Sequence, residues 1–400
     1  LVKSGDLVVV AGDSITEQKQ YSVFIEDYIL MCARVPEARV IQFGWSGDKI
    51  DGFRDRQMPS LKLFKPQVVT TLFGMNDGRY EKLRQGTIDL YRKATADVVR
   101  ELKKDGEREI FVGTPGIVGR DEYRKPASNA TVYNKSLYQL GQLGKEVAEQ
   151  EGVHWVDVHS VMADVEAKAK EKYGDKYHLA GSDGIHPGAN GHLVMAYAFL
   201  KAMGFDGHIG TITVDMRAGK AEATEGHEVL GVKNGAVEVR SERYPFCFYG
   251  DETSPASPKG VLDLLPFNED LNRFMLVVKN APSQKVRVTW GDSSAEFTAK
   301  ELAEGVNLAA AFVDKNPFST PFLKVHDKAR AQQNYETPAV KVLLQSFVEF
   351  GKLLPEVATA ESATFERLGK RIVERAFELC DETGAAIEPV THAIKLEPVR

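Results

Sequence analysis

The chain predicts an α/β fold in which a parallel sheet is covered by helices on both faces, followed by a β-rich segment and a helical C-terminal region. Three observations carry this. Five short apolar runs recur through the first 210 residues, with helix-periodic stretches between them. From about Thr211 the apolar pattern changes to period two. From about Ala299 helical periodicity returns.

The five runs are Leu7 to Ala11, Arg39 to Phe43, Gln67 to Phe73, Glu109 to Gly113 and Val153 to Val158. They are short, rich in Val, Ile, Thr and aromatics, and mostly closed by Gly or Pro, as strands buried on both faces are. Between them, Gly86 to Lys104 carries Ile88, Tyr91, Ala94, Val98 and Leu102 on one stripe. Ser128 to Glu151 opens with a Ser N-cap and closes at Gly152. Pro187 to Met203 opens with Pro in its first turn and closes at Gly204.

In the next segment Val237 and Val239 alternate with polar residues, as do Val286, Val288 and Trp290, and Asn234-Gly235 signals a hairpin. Gly305 to Leu308 reads as helix and Asn316-Pro317-Phe318 as a turn. In the tail, Phe365, Leu368, Ile372 and Ala376 share a helix face. The expected organisation is therefore 1–210, 211–300 and 301–400, with the last region packing back on the first.

Composition narrows the function. Apolar residues at 43% and charged residues at 27% exclude a disordered or fibrous chain. Net charge is 51 − 57 = −6, which argues against binding a nucleic-acid backbone. The most apolar stretch, Leu193 to Met203, is too short to span a bilayer. Cys32, Cys247 and Cys380 lie far apart without ligand spacing, and no HExxH occurs. Three buried thiols are expected, with no metal and no cofactor. The chain begins at Leu1. Removal of a signal peptide and trimming both account for that, with a slight lean to a secreted or periplasmic protein.

Active sites of such sheets lie beyond the carboxyl ends of the strands. There the chain places Gly12-Asp13-Ser14, Gly44-Trp45-Ser46-Gly47-Asp48, Gly74-Met75-Asn76-Asp77 and, before the last helix of this half, Asp183-Gly184-Ile185-His186. Acyl transfer needs this set. A serine hydroxyl requires a base, a histidine supplies it, and a carboxylate orients the imidazole. The negative oxygen of the tetrahedral intermediate needs fixed donors, which N–H groups of Ser14 and a glycine loop and the Asn76 amide can provide.

These four blocks resemble the SGNH (GDSL-type) hydrolases, over about residues 5–205. The resemblance implies a flavodoxin-like three-layer sandwich with a five-stranded parallel sheet. It implies a serine ester hydrolase working without a metal, with Ser14 as nucleophile and Asp183 and His186 completing the triad. Ser14 N–H, Gly47 N–H and the Asn76 side chain would form the oxyanion hole. Ile15 stands where the GDSL name has Leu.

Blander roles exist for each. Ser14-Ile15-Thr16-Glu17 is also a capping-box pattern. Asn76 suits a turn, Gly44 rivals Gly47, Asp183 suits a helix cap, and His186 a core. Gly291-Asp292-Ser293 repeats the tripeptide but lacks the other blocks, so a β turn explains it. No GxSxG elbow occurs. Trp45, Arg79, Tyr80 and Glu17 flank the blocks and are expected at the substrate pocket. The expected substrate is an acylated small molecule or carbohydrate, most simply an acetylated carbohydrate. A lysophospholipase, thioesterase or acyltransferase would share the triad. A glycan-binding or scaffold protein with a vestigial domain is the alternative from another class.

Overall fold

In the computed structural model, which describes residues 1–119, 129–251, 254 and 257–399, five parallel strands form the first sheet. They are β1 (Leu7–Gly12), β2 (Arg39–Gly44), β3 (Val68–Leu72), β4 (Glu109–Gly113) and β5 (His154–Val156). Their order is β2-β1-β3-β4-β5. The strands read as continuous apolar runs because successive residues enter two different cores. Val8 and Val10 face one, while Leu7, Val9 and Ala11 face the other.

Helices α1 (Ser14–Glu17), α2 (Tyr21–Asp27), α3 (Gln85–Asp105), α4 (Ala130–Glu151), α5 (Val158–Tyr173) and α6 (Ala189–Ala202) flank the sheet, and a further helical stretch over 50–64 joins β2 to β3. Phe24, Met162 and Phe199 of α2, α5 and α6 pack with Val8 and Val10. Tyr91, Val98 and Leu143 of α3 and α4 pack with Val9 on the opposite face. The result is the expected three-layer α/β arrangement. Ser128 lies outside the described residues. The side chain of Asn129 caps α4 by accepting from Val132 N–H. Pro187 stands before α6 rather than in its first turn, because the chain bends first through the loop that holds His186.

The β-rich part starts slightly earlier than its pattern suggests, at β6 (His208–Asp215). It continues through β7 (Lys220–Ala223), β8 (His227–Lys233), β9 (Ala236–Ser241), β10 (Arg273–Lys279), β11 (Lys285–Trp290) and β12 (Ser293–Thr298). Val237, Val239, Val286, Val288 and Trp290 are all buried, as their alternation predicts. Asn234-Gly235 turns the chain between β8 and β9, and Gly291-Asp292 turns it between β11 and β12.

Three features of the tail differ from expectation. Val306–Asn307 is a short strand, β13, paired to β10, with only a four-residue helix after it. The final described segment is not helical. It forms β14 (Val390–Val399), inserted between β11 and β9 in a five-stranded antiparallel sheet. Its alternation buries His392, Ile394 and Leu396. The long helix of the tail also buries a face rotated from the one expected. Gly369, Val373, Ala376 and Cys380 are inward, and Leu368 is 45% exposed.

The longer helices of the tail are α7 (Ser319–Pro338), α8 (Gln345–Leu353) and α9 (Ser362–Gly384). Helix α7 lies against β2 and α2, and α9 against β2 and α7. An edge strand presents unpaired N–H and C=O groups. Here the edge of β2 is closed by side chains. Gln332 Nε2 donates to Val40 C=O at 2.9 Å, and Gln42 N–H donates to Glu336 Oε2 at 2.8 Å. Val340, Leu344, Val373, Ala376 and Cys380 join the core of the first sheet. The tail thus packs back on the first half. All three cysteines are buried and unpaired. No helix among the described residues is long and apolar enough to cross a membrane.

Candidate active site

Ser14 is the first residue of α1, immediately beyond β1. It does not cap that helix. Asp13 does, by accepting from Ile15 N–H at 3.0 Å. The Ser14 side chain is therefore left to turn outward, where its Oγ lies 2.8 Å from His186 Nε2. The other ring nitrogen of His186, Nδ1, lies 2.6 Å from Asp183 Oδ2.

The loop between α5 and α6 makes this pairing rigid. Asp183 Oδ1 accepts from the backbone N–H groups of Ile185 and His186, each at 2.9 Å. One carboxylate thus both folds the turn and holds the imidazole. Burial pushes the Asp183 carboxyl up, but the hydrogen bonds from the His186 ring, His186 N–H and Ile185 N–H more than offset it. The group sits below the ordinary carboxylate value. An ionised Asp183 keeps the proton on Nδ1 and leaves the Nε2 lone pair facing the serine.

The two candidate glycines separate on geometry. Gly44 is buried, its N–H donates to Gln42 Oε1 at 2.8 Å, and a Cβ there would lie 2.2 Å from Glu17 N. It is a close-packing position with its donor already engaged. Gly47 is exposed, adopts φ +76°, and has open space where a Cβ would stand.

Asn76 is nearly buried beyond β3. Its Nδ2 donates to Asp48 C=O at 3.0 Å and makes a longer contact of 3.3 Å with Asp13 Oδ2. Tyr80 Oη donates to Asn76 Oδ1 at 3.0 Å, which fixes the amide with its NH₂ directed at Asp48 C=O and Asp13 Oδ2. Burial pushes the Asp13 carboxyl up to about 7, and the nearby Asp77 and Asp48 charges add to this against the Ile15 N–H bond. Asp77 anchors the loop itself, accepting from Ile50 N–H and Gly74 N–H.

The cleft at this point is open, about 450 Å³, and lined by Ser14, Glu17, Gln18, Ser46, Ser182, Asp183 and His186. Residues 10–194 match the model of the GDSL-like lipase/acylhydrolase family. This half is a GDSL-type hydrolase domain. The chain is also 26% identical over 227 residues to an acetylxylan esterase of Geobacillus stearothermophilus, covering 51% of this chain and 97% of that protein. Among solved structures, a gut microbial diltiazem-metabolizing enzyme shares the fold along the whole length. It has a TM-score of 0.75 at 22% identity, with 100% of this chain and 99% of that one covered. A crystal structure of that acetylxylan esterase covers 51% of this chain and 96% of its own, at 21% identity and TM-score 0.41. The chain is a carboxylic ester hydrolase.

Around the GDSL site, the four flanking residues have distinct settings. Glu17 lines the cleft and is tied to Ser46 N–H and to Lys341. The Trp45 ring is contacted by two cations, with Arg56 5.2 Å and Lys341 5.4 Å from its centroid. Arg56 in turn pairs with buried Asp48. Tyr80 stacks on Tyr133 at 5.2 Å and supports Asn76. Arg79 is exposed with φ +58°, and neither it nor Tyr80 is among the residues lining the cleft, where both were expected.

Lys341 and Arg56 carry no motif signal, and only the fold brings them to the site; Asp48 ends the second block, but its pairing with Arg56 shows only in the fold. His192 is a supporting residue. Its ring bridges Tyr21 N–H and Gln18 Oε1, and burial pushes its pKa down to about 3, so it stays neutral. A second serine–histidine array, His227–Ser241–His392–Trp290, is wholly internal to the β-rich sheets. It satisfies buried polar atoms and offers no surface for a substrate.

Proposed function

We propose that Ser14, His186 and Asp183 act as a nucleophile–base–orienting triad that removes small acyl groups, acetyl above all, from carbohydrate esters. The observation that carries this is the unbroken hydrogen-bonded line from Ser14 Oγ through His186 to Asp183. His186 Nε2 takes the hydroxyl proton as Oγ attacks the ester carbonyl. The negative oxygen is received by the N–H of Ser14, the N–H of Gly47 and the Asn76 amide, one N–H of which exchanges its long 3.3 Å bond to Asp13 Oδ2 for the oxyanion. Ser14 N–H belongs to the first turn of α1, where N–H groups have no partner within the helix. His186 then protonates the leaving alcohol. Water, activated by the same nitrogen, releases the acyl group from Ser14.

Two points support a small acyl group on a polar alcohol. The cleft is open, and its lining among the described residues is hydroxyls, carboxylates, an amide and an imidazole. The similar Geobacillus protein is named an acetylxylan esterase. The test is hydrolysis of p-nitrophenyl acetate and acetylated xylo-oligosaccharide, with labelling by a fluorophosphonate. Ser14→Ala should abolish both. A wild type that fails to react with either would sink the proposal.

One observation favours a second substrate class. From Lys341 at the cleft rim, an exposed apolar face runs through Val342, Leu343, Phe350, Leu353 and Leu354. It is the sort of surface on which a lysophospholipid or thioester chain would lie. Rates that rise steeply from acetyl to octanoyl esters would select that class instead.

A further inference from the structure

We infer that Lys341, from the C-terminal helical region, is a positioning residue for the oxyanion loop and acts through Glu17. The inference rests on the assignment of Ser14 and Gly47 above.

Lys341 Nζ lies 2.9 Å from both carboxylate oxygens of Glu17, 324 residues away in the chain. Glu17 closes α1, the helix that Ser14 opens. Its Oε2 also accepts from Ser46 N–H at 2.5 Å. Ser46 precedes Gly47, and both are exposed. This part of the loop therefore depends on a few specific bonds. Trp45 N–H donates to Gly12 C=O, and Asp48 N–H donates to Trp45 C=O, each at 3.0 Å. Between those two ties, Ser46 is held by Glu17.

Lys341 acts on this arrangement in two ways. It fixes the Glu17 carboxylate so that Ser46 N–H has a stationary acceptor. Its ammonium also covers the Trp45 ring at 5.4 Å, clamping the start of the same loop. The charge matters as much as the geometry. Glu17 lines the cleft in which an oxyanion forms, and an unpaired carboxylate there would oppose that charge. Lys341 neutralises it. Both side chains are about one-fifth exposed, so the pair is only partly screened by water.

A structural role alone would not produce the kinetic pattern that follows from this. Lys341→Met should lower kcat for p-nitrophenyl acetate about tenfold, short of the ~10² lost with a whole oxyanion donor. KM should change little, and Lys341→Arg should restore most of the rate. Glu17→Gln keeps an acceptor for Ser46 N–H but removes the charge. Adding it to Lys341→Met should therefore recover activity rather than reduce it further. Three results would overturn the inference: a Lys341→Met kcat within twofold of wild type, a loss that tracks a lowered Tm without rescue by Arg, or a double variant worse than Lys341→Met. A wild type that neither hydrolyses the ester nor takes the fluorophosphonate would instead strike the assignment of Ser14, which separates the two failures.

Discussion

The backbone N–H of Gln42, on the edge strand of the parallel sheet, donates to the side chain of Glu336 at 2.8 Å, across 294 residues of sequence. Glu336 is buried, and its other oxygen accepts from Gln332 Nε2 at 3.0 Å. Glu336→Ala strands the buried N–H of Gln42 and one N–H of the Gln332 amide, whose other N–H keeps Val40 C=O. Urea denaturation should show a loss of about 1–3 kcal/mol, and Glu336→Gln should lose less. Alanine with an unchanged midpoint would contradict this account of the edge.

The same carboxyl makes stability depend on pH. Burial raises it from the ordinary 4.5 to about 8, against the hydrogen bonds from Gln42 and Gln332 and the charge of Lys19. Between those values the folded protein holds a proton that the unfolded chain has released. The folded state therefore loses stability as pH rises from about 4.5 to about 8, by on the order of 5 kcal/mol from this group, and levels off above. Urea midpoints taken at pH 5, 6, 7 and 8 should fall less steeply for Glu336→Gln than for wild type. Parallel slopes would count against it.

Gly44 and Gly47 should fail differently. A Cβ on Gly44 meets the backbone of Glu17, so Gly44→Ala should lower Tm by several degrees or prevent folding. Gly47→Ala meets nothing but must hold φ +76°, a strain of about 1 kcal/mol. It should stay folded and lose kcat, because relaxing the strain moves the loop N–H. Equal Tm losses in the two variants would refute the distinction.

Asp183→Asn should keep the turn, since an amide oxygen can still accept from Ile185 and His186 N–H. It would no longer hold His186 in the tautomer that faces Ser14. A fall in kcat of about 10³-fold or more is expected, with little change in Tm. An Asn variant within tenfold of wild type would show that Asp183 serves the turn alone.

Cutting the chain at residue 210 should not yield a stable hydrolase domain. The truncation uncovers Val40 C=O and Gln42 N–H on the edge of β2 and removes Val340, Leu344, Val373 and Cys380 from the core. Insoluble expression, or a product that binds ANS, is the expected outcome. A soluble, monomeric and active fragment would overturn the dependence.

The first half was legible because its signals are local. Each buried strand announces itself by an apolar run, and each block sits within a few residues of a strand end. The four blocks together point to the site proposed above. What escaped has no local mark. Glu336 and Gln332 look like ordinary polar residues of a surface helix, yet they seal an edge strand formed 290 residues earlier. Lys341 is one lysine among many until the fold lays it on Glu17. The strand Val390–Val399 is a different case. Its alternation of His392, Ile394 and Leu396 was present in the sequence, but it follows a long charged helix and was absorbed into it. The one-residue rotation of α9 arose because Gly369 and Val373 pack closely where Leu368 and Ile372 were expected.

That late strand sets the timetable of biosynthesis. Ser241 and His392 are hydrogen-bonded neighbours separated by 151 residues. On the order of ten seconds of translation divides them. β9 waits through all of that interval, and β11 through the part after Trp290, without the strand that belongs between them. The nascent protein therefore carries two sticky edges while its α-helical tail is still being made, and chaperone demand should peak during that interval.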